Sequence, residues 1–337
     1  MTLEASVSMG WVGTVISAAQ RAGIDSAVLL RTAGIPAGAL ERDRWPIDYI
    51  TRLWRAAERL SGDPAFGLKA GAGVSPASIS VVGFAMQSAA TLREALGMVQ
   101  KYQRLISDGG RFQLLGGDNA TWVVYHPRQG ELAFSPYQVE AVLAAVVTYA
   151  NWVTGKALAP ARVQLSQPQL ANREDYRRVF GCPVEFDQAF SGLLVNNSVL
   201  DAPLPQADPR LARMHEEFTA ARLAELGLDN ASADALRQWL LAQTGPRVPR
   251  RIDAARALGI SERTLARRLH QQGHTFEQLV DEVRKELALQ AVASAERPLA
   301  DIAQSLGFAE PSTFYRAFNR WTGMPPARWR RQLRTGQ

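Results

Sequence analysis

The chain has 337 residues, 38 Lys+Arg against 32 Asp+Glu, four His and a single Cys, a length that suggests two domains each able to bury a core. A composition of 47% apolar and 21% charged residues excludes global disorder, and one cysteine, Cys182, excludes a disulfide framework or a Cys-rich metal site. Residues 231–337 hold 17 of the basic and 10 of the acidic groups, a net of +7 that leaves −1 on the first 230, so the C-terminal third is the part expected to meet a polyanion.

The N-terminus carries Glu4 and neither a basic segment nor a sustained apolar block, so no secretory leader is expected. The longest uncharged apolar run, Ala141 to Val147, is far short of the ~20 residues of a membrane span. A cytoplasmic protein with no membrane partner is expected.

In chain order, Gly10–Ala22, Pro46–Leu60 and Thr91–Ile106 place apolar residues three and four apart, which predicts helices. Arg111–Leu115 and Ala120–His126 are β-type runs around Gly116-Gly117-Asp118-Asn119, which predicts a hairpin. Pro136–Val153 reads as a helix apolar on most sides, and Arg162–Leu165, Val184–Phe186 and Gly192–Val195 as three short strands. Residues 1–205 are therefore expected to form an α+β domain, a small sheet against helices. Asp208 before Pro209 starts a helix to about Leu226, with Leu211, Met214, Phe218 and Leu223 as an apolar stripe. Gly227 to Ser232 should break it, making 206–230 a linker helix whose stripe serves packing on its own chain or dimerisation.

The remaining segment, 231–337, contains a repeat. Ala255, Leu258-Gly259-Ile260, Leu265, Arg267 and Leu269 recur as Ala303, Leu306-Gly307-Phe308, Phe314, Arg316 and Phe318, at an offset of 48 residues before the glycine turn and 49 after it. Each copy reads as a short helix, a glycine able to take positive φ, and a second helix. This predicts an all-α domain with helix-turn-helix units at about 252–271 and 299–322. At about 100° per residue, Leu265 and Leu269 face inward and Arg263, Arg267 and His270 outward. In the second copy Phe314 and Phe318 are the buried pair, and Ser312, Arg316 and Asn319 take the outer positions. Arg binds guanine in bidentate fashion, while Ser and Asn address base edges. With Thr264 and Arg320 these are the candidate DNA contacts. A lone exposed Arg is ordinarily a solvated charge; two copies with Arg in the same outward position weaken that reading. Thr275-Phe276-Glu277-Gln278 resembles a capping box. The helix from Thr275 to Ser294, roughly 30 Å long at 1.5 Å per residue, would hold the two units about one DNA turn apart.

Residues from about 233 to 334 resemble the DNA-binding domain of the AraC/XylS family of bacterial transcription regulators. The likeness rests on Gly259-Ile260-Ser261-Glu262-Arg263-Thr264-Leu265, on Ile302-Ala303-Gln304-Ser305-Leu306-Gly307-Phe308, and on the tail from Phe314 to Pro326. The resemblance implies base reading at Arg263, Ala266 and Arg267 and at Pro311, Ser312 and Arg316. Ala266 and Pro311 depart from the long polar residues often found there, so readout should lean on the arginines. Val82-Gly83-Phe84-Ala85-Met86, Thr91 to Leu96 and Phe180-Gly181-Cys182-Pro183-Val184 resemble the effector domain of a branch similar to regulators of ornithine use and of mycobacterial envelope genes, not the cupin-type sugar pocket. It implies a small-molecule effector. The function expected of the whole chain is that of a homodimer acting at double-stranded promoter DNA in contact with RNA polymerase, as an activator, with repression the open alternative. Candidate effector contacts are Tyr102, Arg104, Trp122, Tyr125 and Arg128.

Other chemistries find less support. Cys182 is the one nucleophile a DNA-modifying enzyme could use, but its neighbours Phe180, Val184 and Phe186 predict a buried structural thiol. Of His126, His215, His270 and His274, only the last two share a helical spacing, with Gly273 between them, so no metal or cofactor is expected. A ligand-independent architectural DNA-binding protein is the remaining rival to a ligand-responsive regulator, and an enzyme is not expected.

Overall fold

The computed structural model describes residues 5–128, 132–226, 231–243, 249–271, 274–293 and 297–334. They form two compact units, one drawn chiefly from residues 5–228 and the other from 229–337.

The first unit has two apolar cores. Helices Met9–Arg21, Ser26–Thr32, Ile47–Ser61 and Phe66–Ala72 enclose one around Trp11, Leu29, Trp45, Ile50 and Trp54. Helices Ser80–Gln87, Leu92–Ile106 and Arg173–Phe180 surround the other, with a sheet. Pro136–Thr154 runs between the two: Ala141 and Ala145 point into the first core, Val139, Leu143 and Val147 into the second. Eleven of its 19 residues are buried, which explains its apolar character on most sides. It starts on Pro136 and ends where Gly155 takes φ +64°. Helix Phe66–Ala72 lies against it so closely that a Cβ on Gly67 or Gly71 would meet the Tyr137 or Ala141 carbonyl at 2.3 Å. Glycine at both positions permits the contact.

The two strands of the expected hairpin, Gly110–Gly116 (β1) and Ala120–Pro127 (β2), pair as foreseen. With Arg162–Gln164 (β3), Val184–Glu185 (β4) and Ser191–Asn196 (β5) they form one sheet in the order β1-β2-β5-β3-β4. Only β3 and β4 run parallel within β5-β3-β4; β5 is antiparallel to both β2 and β3, with Val123 and Val163 on either side of Leu193. A second ladder of two three-residue strands, Ser6–Ser8 and Arg44–Pro46, was not foreseen. Three residues show no period, and their pairing joins segments far apart in sequence.

Helix Pro209–Glu225 is capped by Asp208, whose carboxylate accepts from the Arg210 and Leu211 amides. It groups with the first unit. His215 Nδ1 lies 2.9 Å from Ser88 Oγ, Glu216 pairs with Lys101 at 2.6 Å, and Leu223 packs on the second core. Leu211, Met214 and Phe218, at 42%, 58% and 61% exposure, face away from it. Ala231 and Ser232, expected within the break, already belong to helix Ala231–Ala242; Gly227–Asn230 lie outside the described residues.

The second unit is all helical: Arg251–Ala257, Glu262–Gln271, Phe276–Ala293, Leu299–Ser305, Pro311–Thr322 and Pro326–Arg334 follow Ala231–Ala242. Among its described residues, the first helix-turn-helix closes on Leu236, Ala255, Leu265, Leu269 and Val283. In the second, Phe314 stacks edge-on with Phe308 and Phe318, and Phe318 with Trp329. Among described residues, no single helix is long and apolar enough to cross a membrane.

Candidate nucleic-acid interface and effector cavity

The sequence repeat is a structural repeat. Gly259 and Gly307 take φ +67° and +75°. In each copy the amide after the glycine reaches back to the same carbonyl: Ile260 N to Ala255 O and Phe308 N to Ala303 O, both 3.0 Å. The two first helices are thus ended by the same left-handed turn, and the second helix leaves each at an angle set by it.

The second helices present the expected faces. Leu265, Leu269, Phe314 and Phe318 are fully buried, while Arg263, Arg267, His270, Ser312, Arg316, Asn319 and Arg320 are exposed. Thr264 is half-buried. Its hydroxyl lies 2.9 Å from Ser261 Oγ, which also accepts the Thr264 amide at 3.2 Å, so Thr264 helps to cap its helix. Ser312 Oγ donates to Glu310 Oε2 at 3.2 Å. Arg320 is paired with Asp281 at 2.9 Å, and Asp281 also accepts from Trp321 Nε1. Among the described residues Arg263, Arg267 and Arg316 make no salt bridge. Their guanidinium groups are free to meet acceptors outside the protein.

The connecting helix carries a complete capping box. Thr275 N donates to Gln278 Oε1 at 2.8 Å and Gln278 N to Thr275 Oγ1 at 3.1 Å. Its 18 described residues, Phe276–Ala293, span about 27 Å at 1.5 Å per residue. Ser294, the expected end, lies outside the described residues. Arg284 anchors the second helix-turn-helix to this helix, with Nε donating to Leu306 O at 3.1 Å and its guanidinium 3.9 Å over the Phe308 ring.

The first unit holds a partly open cavity of about 100 Å³ between helices Leu92–Ile106 and Pro136–Thr154 and the start of β1. Met86, Leu96, Val99, Phe112, Val146 and Tyr149 are among the side chains on its wall. Of the five expected effector contacts, only Tyr125 reaches it. Tyr102 instead donates to Glu216 at 3.4 Å and fastens helix Pro209–Glu225. Arg104 pairs with Asp108 at 2.9 Å, Trp122 packs edge-on against Phe190, and Arg128 is exposed. Gln103, Ser107 and Gln138, polar residues on the wall, were missed. Gln103 and Gln138 lie within helices and Ser107 follows one in extended backbone, and no local pattern separates such residues from ordinary surface amides or hydroxyls.

Cys182 is half-buried against the second core, and burial pushes its thiol up, the opposite of what a nucleophile needs.

Comparison with known proteins carries both units. Residues 23–204 match the arabinose-binding N-terminal domain of AraC transcription regulators, and residues 254–332 a helix-turn-helix domain. The ornithine utilization regulator of Pseudomonas aeruginosa is 31% identical over 310 residues, 91% of each chain. An uncharacterized HTH-type transcriptional regulator of Mycobacterium tuberculosis is 26% identical, covering 85% of this chain and 84% of that one. The crystal structure of transcriptional regulator CdpR from Pseudomonas aeruginosa has 22% identity and a TM-score of 0.45, covering 90% of this chain and 95% of that one. With an effector-binding domain matched over residues 23–204 and a relative aligned along 91% of its length, the chain belongs to the AraC family of transcription regulators.

Proposed function

We propose that the protein is a ligand-responsive transcription activator that reads promoter DNA through both helix-turn-helix units. The observation that carries this reading is the pair Arg267 and Arg316, exposed at equivalent positions of two helices that follow identical left-handed turns. A rod of about 27 Å between the units suits two successive major-groove segments on one face of a duplex, about 34 Å apart. Arg263, His270, Ser312 and Asn319 flank the arginines as further contacts, with Thr264 and Arg320 at the margin. A small molecule held in the cavity of the first unit is the signal, and RNA polymerase is the partner through which binding activates transcription in the cytoplasm.

The working form is a homodimer. Leu211, Met214 and Phe218 make an exposed apolar stripe on helix Pro209–Glu225, bordered by the exposed Arg210 and Glu217. Two such helices laid antiparallel across a two-fold axis set Arg210 of one copy opposite Glu217 of the other and cover both stripes.

Selection of bound sequences from random duplex DNA, followed by footprinting, tests the reading. Enrichment of one motif with two protected segments about one turn apart is expected. Recovery of no motif would make the protein an architectural binder instead.

A further inference from the structure

The cavity of the first unit also indicates what kind of molecule it takes; this step rests on the sensing role just proposed. None of the described residues on its wall is Asp, Glu, Lys, Arg or His. The Tyr125 hydroxyl donates to Gly109 O at 3.3 Å and that of Tyr149 to Gly83 O, and burial raises both phenols, so they stay neutral. Ser107 Oγ accepts the Gly109 amide at 2.9 Å. Gln138 is different. Its side chain is 1% exposed, yet Oε1 has no hydrogen-bond partner within the protein. A buried acceptor left open is costly, and a donor arriving with a ligand removes that cost.

We infer that the cavity binds a small, uncharged, largely apolar molecule carrying one hydrogen-bond donor, an alcohol or phenol, whose hydroxyl donates to Gln138 Oε1. The volume sets the size. At about 100 Å³ it is smaller than the ~150 Å³ closed apolar cavity that holds benzene, but it is open on one side, so one small ring or a short branched chain can seat in it with an edge at the mouth. Charge sets the exclusion: an ion moved from water into a wall without counter-charges is strongly disfavoured. Ornithine, with its carboxylate and both amines ionised at neutral pH, therefore does not belong here, although a relative named for ornithine utilization is 31% identical.

Four probes of similar bulk separate the possibilities in calorimetry and thermal unfolding of the full chain: phenol, toluene, benzoate and L-ornithine. Phenol should bind and raise the unfolding temperature. Toluene should bind roughly tenfold more weakly, the worth of one hydrogen bond. Benzoate and ornithine should do nothing. Gln138→Leu should bring phenol and toluene to equal affinity. Ala150→Leu, which fills the cavity with an apolar group, should abolish binding of both while the circular dichroism stays unchanged. Stabilisation by benzoate or ornithine, failure of phenol to bind, or a phenol preference that survives Gln138→Leu would each overturn the assignment. The sensing role is tested apart from it: if phenol binds as described but leaves operator affinity unaltered, the ligand class stands and the sensor reading fails.

Discussion

Arg267 and Arg316 owe their outward position to helical period alone, since Leu265, Leu269, Phe314 and Phe318 occupy the inner side of the same helices. Arg267→Ala and Arg316→Ala should each cost about 1–3 kcal/mol on the selected operator and relax base preference at one position. Binding titrations across single-base operator variants check this; a uniform loss on every sequence would reduce the arginines to phosphate contacts. A second residue-scale expectation concerns Glu140, fully buried on helix Pro136–Thr154. One carboxylate oxygen accepts from Tyr176 Oη and from Gln167, while the other has no partner. Burial outweighs both hydrogen bonds and pushes this carboxyl from 4.5 to about 7. Between those values the folded chain holds a proton that the unfolded chain has released. Stability from this group is therefore complete below pH 4.5 and is lost as pH rises through 7. Glu140→Gln should stabilise the protein by about 2–3 kcal/mol at pH 8 and by little at pH 5. Urea unfolding at both values is the measurement, and parallel pH profiles for the two proteins would refute it. No pattern in the sequence sets Glu140 apart from a surface glutamate, because its burial depends on Tyr176 and Gln167, supplied by distant segments.

In the proposed mode of binding, helix Phe276–Ala293 is the spacer whose register ties one reading head to the other. Inserting one residue near Ala291 turns the second unit by about 100° and moves it about 1.5 Å. Specific binding should collapse while helical content and unfolding cooperativity persist; two-segment protection on the same operator would show that the rod is not rigid. Helix Pro209–Glu225 makes a different expectation. Phe218→Asp places a charge on its most exposed apolar position, so sedimentation should report a shift from dimer to monomer with the fold intact. An unchanged mass would remove this helix from the interface. Long elements were legible in the sequence because more than three turns display their period. Helices Met9–Arg21, Ile47–Ser61, Leu92–Ile106 and Pro136–Thr154 lie within a residue or so of the expected bounds. Ser26–Thr32, Phe66–Ala72, Ser80–Gln87 and Arg173–Phe180 have seven or eight residues each and were not foreseen. Two turns are too few to show a stripe, and Phe66–Ala72 is held instead by the close approach at Gly67 and Gly71.

At the scale of the molecule, charge and contacts divide the chain in nearly the same place: the net +7 of residues 231–337 falls in the unit that begins at 229. A fragment from about residue 228 to 337 should fold alone and bind operator DNA more weakly than the full chain. In the proposed dimer, two joined reading domains gain effective concentration that the fragment lacks. Its affinity should fall steeply with salt, because several phosphate contacts release counterions. A ligand that alters DNA binding by the full chain should leave the fragment unaffected, and an equal response in both would move the sensor out of the first unit.

The sequence by itself determined the reader. A repeat of glycine turn, apolar pair and outward arginine is a local code, and each unit's turn and facing follow from residues within about two helical turns of one another. It also determined the hairpin β1–β2, whose glycine-rich turn and flanking runs of aromatic and aliphatic residues are contiguous. The proposed sensor was decided by tertiary structure. Its cavity is assembled from Trp11, Val99, Phe112, Gln138 and Tyr149, on elements spread over more than a hundred residues. The fold turns Tyr102 to Glu216 and Trp122 to Phe190, off the cavity wall, and leaves Gln138 with an open acceptor. The orientation of a helix about its axis follows from its own residues, whereas a cavity exists only once separate helices meet, and no single segment encodes it.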